Sequence, residues 1–366
     1  MNNHDSILFN PVKLGEVELQ NRIIMASMSR ARTSNPELIP IPLQVEYYKQ
    51  RASAGLILSE GTWPSREAVG AVDVPGLFND KQMEGWKPVT EAVHEAGGRI
   101  FVQLGHCGAA SHPDLLGGAL PLAPSAVNLN HQVFAGSFQQ TTTPGAMTLG
   151  DIERTIEDYA RATRLAQQAG FDGVELHGTV GFLIPQFLSD KFNLRDDEYG
   201  GSVENRIRFP LEVLEAMISE WRPGRVGLKL SPAVGMGDLQ PTAATLPTYE
   251  RLVSRVSALK IAYLQLQESP EDLTGTPAEA LNEGTARHFR PFFDGSIIAN
   301  GGLDKARAEG VIASGTADAA AFGGLYLSNP DLVERLQRGV PLAPVPSRET
   351  WYGGGAAGYV DYPRET

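Results

Sequence analysis

The sequence is poor in cysteine, in cationic side chains and in long apolar runs. Its 366 residues contain one cysteine, Cys107, which excludes an internal disulfide framework and a thiolate metal cluster. No run of about 18 apolar residues is present, so no membrane span is expected. The 31 Lys and Arg residues against 43 Asp and Glu residues give a net charge of −12. This excess of acid argues against a nucleic-acid partner, and no metal site is expected.

Several catalytic signatures are also missing. The chain has no G-x-S-x-G, no H-E-x-x-H and no P-loop. No G-x-G-x-x-G follows the first predicted strand, so the usual fingerprint of an open dinucleotide-binding sheet is absent. The first five residues lack the basic and apolar regions of a signal peptide. We therefore expect a cytoplasmic enzyme that acts on a small molecule. The sequence is compatible with a homo-oligomer.

The chain does contain a repeated alternation of short apolar runs and helical segments. The runs are apolar on both faces, which is typical of buried parallel strands. They cover residues 22–27, 56–61, 99–104, 173–178, 226–231, 263–268, 296–301 and 319–324. Helices are predicted over residues 43–54, 80–96, 151–169, 205–221, 249–260, 303–314 and 330–338. This pattern predicts an α/β fold, a single closed (β/α)₈ TIM barrel over residues 1–366, with an open doubly wound sheet as the main alternative.

Two further segments and three helix ends complete this prediction. Residues 8–19 are predicted to form a hairpin that plugs the bottom of the barrel. Residues 105–149 lack periodicity and follow the third strand, where a loop of this length is usually a functional lid; a disordered insertion is the alternative. Asp151 is predicted to cap one helix and Gly170 to end it, and Asn329 with Pro330 is predicted to begin another.

In a barrel of this kind the carboxyl ends of the strands line the active site. Two of these ends carry glycine pairs, Gly301–Gly302 and Gly323–Gly324, each opening toward a helix. Glycine lets backbone N–H groups approach a phosphate closely, and a helix amino terminus adds partial positive charge. The pairs therefore predict a phosphate site, and the alternative is that they only make tight turns.

Many segments of the chain match one family in order. They are residues 8–15, 21–26, 47–48, 50–57, 59–62, 111–113, 170–175, 197–202, 204–206, 300–302, 328–332 and 352–355. On these residues the chain resembles the Old Yellow Enzyme family of FMN-dependent ene-reductases over nearly its whole length. The resemblance implies FMN across the barrel mouth, with NADPH or NADH as the reductant.

The resemblance also implies a set of cofactor-binding residues. They are Ser27, Met28, Ser29, Gly61, Gln103, Lys229, Gly301, Gly302, Gly323 and Gly324. Ser29 is then expected beside the flavin ring, Gln103 at its pyrimidine edge, and Gly61 where the ring lies on backbone. Lys229 takes the place of an arginine near N1 and C2=O, where a cation stabilises the anionic reduced flavin. An ordinary salt-bridge lysine and a Schiff-base lysine are the other interpretations of Lys229.

The substrate side departs from the family pattern. His177 matches the first residue of the pair that holds a carbonyl or nitro oxygen, but Val180 stands where the second donor is expected. Phe182 replaces the tyrosine that donates a proton, so Tyr352 becomes the first candidate for that role.

Other exchanges affect the size of the pocket and the grip on the cofactor. Gly105 replaces a tryptophan and Ala71 a tyrosine, which makes room for a bulky substrate. Ser27 replaces a proline beside the flavin, and Gly324 replaces an arginine that grips the FMN phosphate.

Three functions follow from this pattern. The first is FMN-dependent reduction of an α,β-unsaturated carbonyl compound, with a bulky or specialised-metabolism substrate. The second keeps FMN but is a redox-neutral isomerisation or cyclisation, because the usual proton donor is missing. The third is a barrel that has lost FMN and serves as a non-redox enzyme or a binding protein.

Overall fold

The computed structural model describes residues 6–364. Its strands are β1 (Val12–Leu14), β2 (Val17–Leu19), β3 (Ile23–Met25), β4 (Leu56–Thr62), β5 (Ile100–Leu104), β6 (Leu122–Ala123), β7 (Gln132–Phe134), β8 (Phe138–Gln140), β9 (Gly145–Ala146), β10 (Gly173–Gly178), β11 (Val226–Leu230), β12 (Tyr263–Gln267), β13 (Ile297–Asn300) and β14 (Ala319–Phe322). Its helices are α1 (Pro42–Lys49), α2 (Asp80–Glu95), α3 (Leu149–Gln168), α4 (Leu183–Leu188), α5 (Val203–Arg206), α6 (Arg208–Glu220), α7 (Thr245–Ala258), α8 (Thr285–Phe289), α9 (Lys305–Ala313), α10 (Gly324–Ser328) and α11 (Leu332–Arg338).

Eight of these strands form the predicted closed parallel barrel, in the order β3, β4, β5, β10, β11, β12, β13 and β14, with β14 pairing back to β3. Every residue of β4, β5 and β11 is buried, as expected for strands covered on both faces. Because side chains at paired positions of parallel strands point to the same side, the register places Glu175 next to Gln103, and Lys229 between His177 and Gln265. The barrel prediction is confirmed.

The predicted plug is present at the amino ends of the strands. β1 and β2 form an antiparallel hairpin whose Leu14, Val17 and Leu19 are buried in one apolar cluster with barrel-interior side chains. The turn needs glycine, because Gly15 has φ +56° and a Cβ there would lie 2.5 Å from the carbonyl oxygen of Gly224. The hairpin therefore closes the lower end of the barrel.

The long connection after β5 is ordered rather than a disordered insertion. It contains a short 3₁₀ helix (Pro113–Leu115), the parallel pair β6–β9 and the hairpin β7–β8. Its Leu115 and Leu129 are buried in a cluster with Trp63 and Leu239 from other loops. Cys107 is buried in the same cluster, and burial raises the pKa of its thiol, so it is a packing residue.

Several helix boundaries differ from the sequence prediction, and two of them concern predicted helix caps. Thr148, not Asp151, is the N-cap of α3; Asp151 occupies N3 and accepts from the Thr148 backbone, a reciprocal capping box. Asn329 and Pro330 do not begin a helix, because α11 starts at Leu332 after Asp331.

The helix predicted over residues 205–221 is divided into α5 and α6. Pro210 has no N–H to donate to the Arg206 carbonyl four residues earlier, which accounts for the break. At its other end α3 closes as expected, since Gly170 has φ +85° after the C-cap Ala169. Among residues 6–364, no helix is long and apolar enough to cross a membrane.

Candidate active site

The carboxyl ends of the strands surround two cavities that share part of their lining. The first has a volume of about 520 Å³ and lies at the ends of β13 and β14. Its lining includes Ser27, Lys229, Gly301, Gly302, Gly323 and Gly324. The second, of about 320 Å³, shares Ser27, Gly323 and Gly324 and adds Met28, Ser29, Trp351 and Tyr352. The structure thus brings eight of the ten residues predicted to bind the cofactor to one opening, together with Tyr352.

Below the first cavity lies a polar network inside the barrel. Gln103 Nε2 donates to Ser27 Oγ (2.7 Å) and to Glu175 Oε1 (2.7 Å), and Lys229 Nζ donates to Ser27 Oγ (3.3 Å). Burial raises the pKa of Glu175 while Lys229 lowers it, and burial lowers the pKa of Lys229 while Glu175 raises it. Burial is the larger cause in each case, so the pKa of Glu175 is raised overall and that of Lys229 is lowered. The network joins these two buried side chains through an amide and a hydroxyl.

Sequence reasoning did not identify Glu175 as a site residue. The signal that identifies it is strand alternation: Glu175 lies two residues before His177, so the two side chains point to the same side. Gly61, the remaining predicted cofactor residue, faces the network. A Cβ there would lie 3.7 Å from both Gln103 Oε1 and Ser29 Oγ, so its backbone presents a flat surface beside these groups.

The two glycine pairs surround the other end of the first cavity. Gly301 has φ +108° and Gly302 φ +59°, and they lead into α9, while Gly323 and Gly324 begin α10. They make tight turns and also expose backbone to the cavity, and the phosphate site stays a prediction. A Cβ at Gly324 would lie 3.1 Å from Val345 Cγ2. Val345 therefore lies where a side chain at position 324, such as the family's arginine, would begin.

His177 is neutral at the mouth of the barrel. Its ring stacks on that of Phe182, with centroids 4.8 Å apart and 25° between planes. Burial, with a smaller contribution from Lys229, lowers the pKa of His177 to about 3. The backbone N–H of Thr179 lies 3.4 Å from Nδ1, and the Thr179 hydroxyl lies 3.4 Å from both ring nitrogens. A neutral imidazole carries one N–H, and that group can hold a carbonyl oxygen.

The segment after His177 carries apolar side chains at Val180 and Phe182. Val180 has φ +60°, and its backbone N–H donates to Ser231 Oγ (2.9 Å). Phe182 packs with Ala71 and Met236 against the apolar cluster of the lid.

Gly105 lies against His177 rather than beside an open volume. A Cβ there would lie 3.2 Å from the Cβ of His177. The space gained by the exchange of tryptophan for glycine is therefore partly occupied by the imidazole.

Tyr352 lies on a C-terminal segment that passes over the opening. It is 60% exposed, while the backbone around it is held by two buried arginines. Arg30 donates to the carbonyls of Thr350, Trp351 and Gly358. Arg32 donates to those of Thr350, Trp351 and Gly355. These arginines fix the segment, and sequence reasoning did not identify them.

Comparison with known proteins agrees with this architecture. A family model described as the NADH:flavin oxidoreductase / NADH oxidase family matches residues 7–343. The chain belongs to this family. Flavin oxidoreductase hxnT of Emericella nidulans is 39% identical, with 97% of each chain covered. 12-oxophytodienoate reductase 1 of Oryza sativa subsp. japonica is 36% identical, with 97% of this chain and 92% of the relative covered.

Solved structures of the NADH:flavin oxidoreductase family superpose on the whole barrel. Morphinone reductase is 40% identical, covers 100% of this chain and 98% of its own, and gives a TM-score of 0.91. Morphinone reductase in complex with tetrahydroNAD gives a TM-score of 0.90 at 40% identity, with 98% of each chain covered. An old yellow enzyme homologue from Zymomonas mobilis gives 0.91 at 36% identity, with 97% of this chain and 99% of that chain covered. The resemblance found in the sequence is confirmed: the protein is an FMN-dependent NAD(P)H oxidoreductase of the ene-reductase type.

The residues present fit FMN. Lys229 and Ser27 offer hydrogen-bond donors, and Gln103 Oε1 faces Gly61 as an acceptor, a set that complements the pyrimidine edge of a flavin. The glycine pairs offer backbone to a phosphate at the other end of the cavity. The individual roles assigned to these residues remain predictions.

Proposed function

We propose that the protein reduces a bulky, largely apolar α,β-unsaturated carbonyl compound, whose oxygen is held by His177 as the principal side-chain donor. When bound, FMN takes a hydride from NAD(P)H and passes it to an activated alkene. The proposal depends chiefly on one observation: the imidazole is stacked on Phe182, which packs against an apolar cluster.

His177 polarises the carbonyl group of the substrate in this proposal. Its neutral ring donates through its one N–H and keeps this form across the physiological pH range, because its pKa is about 3. Val180 has no side-chain donor, so the oxygen receives one side-chain hydrogen bond where the family pattern has two. Substrates must then gain affinity from apolar contact, which the surfaces of Phe182, Ala71 and Met236 provide.

The missing hydroxyl at Phe182 favours a second candidate function. Without an acid at this position, protonation of the carbon next to the carbonyl depends on Tyr352 or solvent, and Tyr352 is largely exposed. A slow protonation would leave the enolate time to rearrange and then to return a hydride to the oxidised flavin, which regenerates reduced flavin without a second NAD(P)H. Isomerisation or cyclisation with no net use of NAD(P)H is therefore the alternative activity.

A half-reaction experiment separates these functions. The FMN-bound protein is reduced anaerobically with NADPH or NADH and mixed with cyclohexenone, or with a bulky enone of the same β-substitution. Faster flavin reoxidation by the bulky enone supports the proposal, and failure of every enone to reoxidise the flavin contradicts it. Product formation without reoxidation or NAD(P)H consumption identifies the alternative.

The role of position 182 is tested with a matched pair of variants. Phe182→Tyr restores the hydroxyl and is expected to raise turnover about 100-fold, the scale of general acid catalysis. Phe138→Tyr makes the same exchange on the exposed hairpin β7–β8 and is expected to change nothing. Equal rates in wild type and Phe182→Tyr would show that proton supply does not limit the reaction.

A further inference from the structure

Ser27 makes two hydrogen bonds that leave its own proton free for a ligand. Its Oγ accepts from Gln103 Nε2 (2.7 Å) and from Lys229 Nζ (3.3 Å). We propose that Ser27 donates this proton to the pyrimidine edge of FMN and thereby raises the reduction potential of the bound flavin.

The assignment follows from counting donors and acceptors. A lysine ammonium has no acceptor, so the contact with Lys229 must be donated to Ser27. The Gln103 amide uses its two hydrogens on Ser27 and Glu175, and Glu175 can only accept when ionised. A hydroxyl has two acceptor sites and one hydrogen. Both acceptor sites of Ser27 are thus used, and the hydrogen is directed away from Gln103 and Lys229.

Ser27 is open to the cavities at the barrel mouth. Ser27 lines both cavities, at the junction of the glycine loops and the polar floor. It is only partly buried, while the Gln103 and Lys229 side chains that fix it are buried. The proline that the family has at this position possesses no such donor.

The position of the hydroxyl determines its effect on redox chemistry. Two-electron reduction of a flavin with uptake of one proton places a negative charge near N1 and C2=O. A hydroxyl polarised by an ammonium group is a strengthened donor, and it binds the charged reduced form more tightly than the neutral oxidised form. The difference in binding raises the potential. Lys229 then acts on the flavin partly through Ser27, so the two residues are coupled.

The experiment measures the two-electron midpoint potential of FMN bound to the purified protein, by equilibration with a reference dye. Ser27→Ala and Ser27→Pro are expected to favour oxidised flavin about tenfold, which lowers the potential by about 30 mV. Ser27→Thr keeps the hydroxyl and is expected to keep the potential. Ser34→Ala removes an exposed hydroxyl of the same connection and serves as the control.

Coupling is tested by combining Ser27→Ala with Lys229→Gln. If the hydroxyl carries the charge of Lys229, Ser27→Ala shifts the potential less in the Lys229→Gln background than in wild type. An unchanged potential in Ser27→Ala overturns the proposal. Loss of FMN from Ser27→Ala also overturns it, because the hydroxyl would then hold the cofactor in both redox states.

Discussion

Val180 combines a β-branched side chain with a left-handed backbone conformation, φ +60°. Such a residue is a genuine outlier, and residues held in this way cost of order 1–3 kcal/mol. Asparagine tolerates the conformation better and carries an amide. The site therefore combines backbone strain with the loss of a polar group at one position, next to His177.

Val180→Asn is expected to stabilise the protein by about 1 kcal/mol and to speed reoxidation by cyclohexenone about tenfold or more. The first effect comes from relief of strain, and the second from a restored donor. Urea unfolding of the FMN-bound protein and stopped-flow absorbance measure them. Val180→Gly is the control, since it relieves strain without supplying an amide. A destabilised Val180→Asn would show that the local backbone is not strained.

His106 and His177 predict a loss of stability in acid. Burial lowers the pKa of His106 and of His177 to about 3, from 6.5. Between these values the unfolded chain binds more protons, so the free energy of unfolding falls as the pH falls from 6.5 toward 3. Each histidine contributes a slope of at most about 1.4 kcal/mol per pH unit.

His177→Asn is expected to remove the contribution of one histidine to the slope of the free energy of unfolding against pH. Urea unfolding at a series of pH values measures this slope. The raised pKa values of Glu60 and Glu175 have the opposite effect on the free energy of unfolding. Above pH 4.5 the folded chain binds more protons at these carboxyls than the unfolded chain does, so they stabilise the protein as the pH falls. The comparison between His177→Asn and wild type isolates the histidine, because both carboxyls are common to the two proteins. Parallel curves would contradict a neutral His177 in the folded state.

Residues at strand ends were predictable, while residues that act through loops were not. Lys229, Gln103 and His177 follow from the rule that strand ends line the mouth. Arg30 and Arg32 could not be found in this way, because their partners are carbonyls more than 300 positions away in the chain. The unusual φ of Val180 is likewise a property of the folded backbone rather than of the residue order.

At the scale of elements, the loops after β13 and β14 are predicted to hold the FMN phosphate, and position 324 carries glycine rather than arginine. Lys229 lies at the other end of the cavity, and Asp304 adds a negative charge to the lining. Arg307, in the first turn of α9, donates from Nη1 to the carbonyl of Gly302 (2.8 Å). Its guanidinium group is thus held next to the glycine turn.

Arg307→Gln is expected to weaken FMN binding about tenfold and to leave riboflavin binding unchanged, because riboflavin lacks the phosphate. The loss of one charged hydrogen bond, about 1.5–3 kcal/mol, accounts for this factor. Quenching of flavin fluorescence on titration measures both affinities. Arg287→Gln removes an exposed arginine of α8 and is the control. An equal loss for both ligands would mean that the loop itself had been damaged.

The barrel elements were predictable because eight doubly buried strands repeat with helices between them. The boundaries were less so. Thr148 and Asp151 are both good N-cap residues, and the reciprocal bonds between them decide the start of α3 only in the fold. Residues 105–148 are ordered by packing against other loops, and no local pattern in that segment predicts this packing.

At the scale of the whole molecule, the C-terminal segment is fastened to the first barrel connection by Arg30 and Arg32. Their guanidinium groups lie 5.0 Å and 4.4 Å from the centroid of the Tyr359 ring. In a protein of net charge −12, these buried cations bind mainly to carbonyl oxygens and aromatic faces. The segment that carries Trp351 and Tyr352 is thereby bound to the chain directly after Ser29, at the mouth of the barrel.

Arg32→Ala is expected to release this segment locally. Trypsin cleavage after the exposed Arg348 should accelerate about tenfold, since charged hydrogen bonds to three carbonyls are lost. Arg32→Lys keeps the charge without the planar fork, so its cleavage rate should lie between those of wild type and Arg32→Ala. Cleavage is timed by mass spectrometry beside a thermal melt. If the melting temperature falls and cleavage at Arg348 does not change, the arginine supports the whole fold rather than the segment.

The hairpin β1–β2 has a consequence for the order of events during turnover. Because it seals the lower end of the barrel with apolar side chains, the flavin is reached from the side of the strand carboxyl ends. The nicotinamide and the carbonyl compound must then visit the same opening one after the other. Each is expected to inhibit the other competitively when in excess, and steady-state plots should show parallel lines.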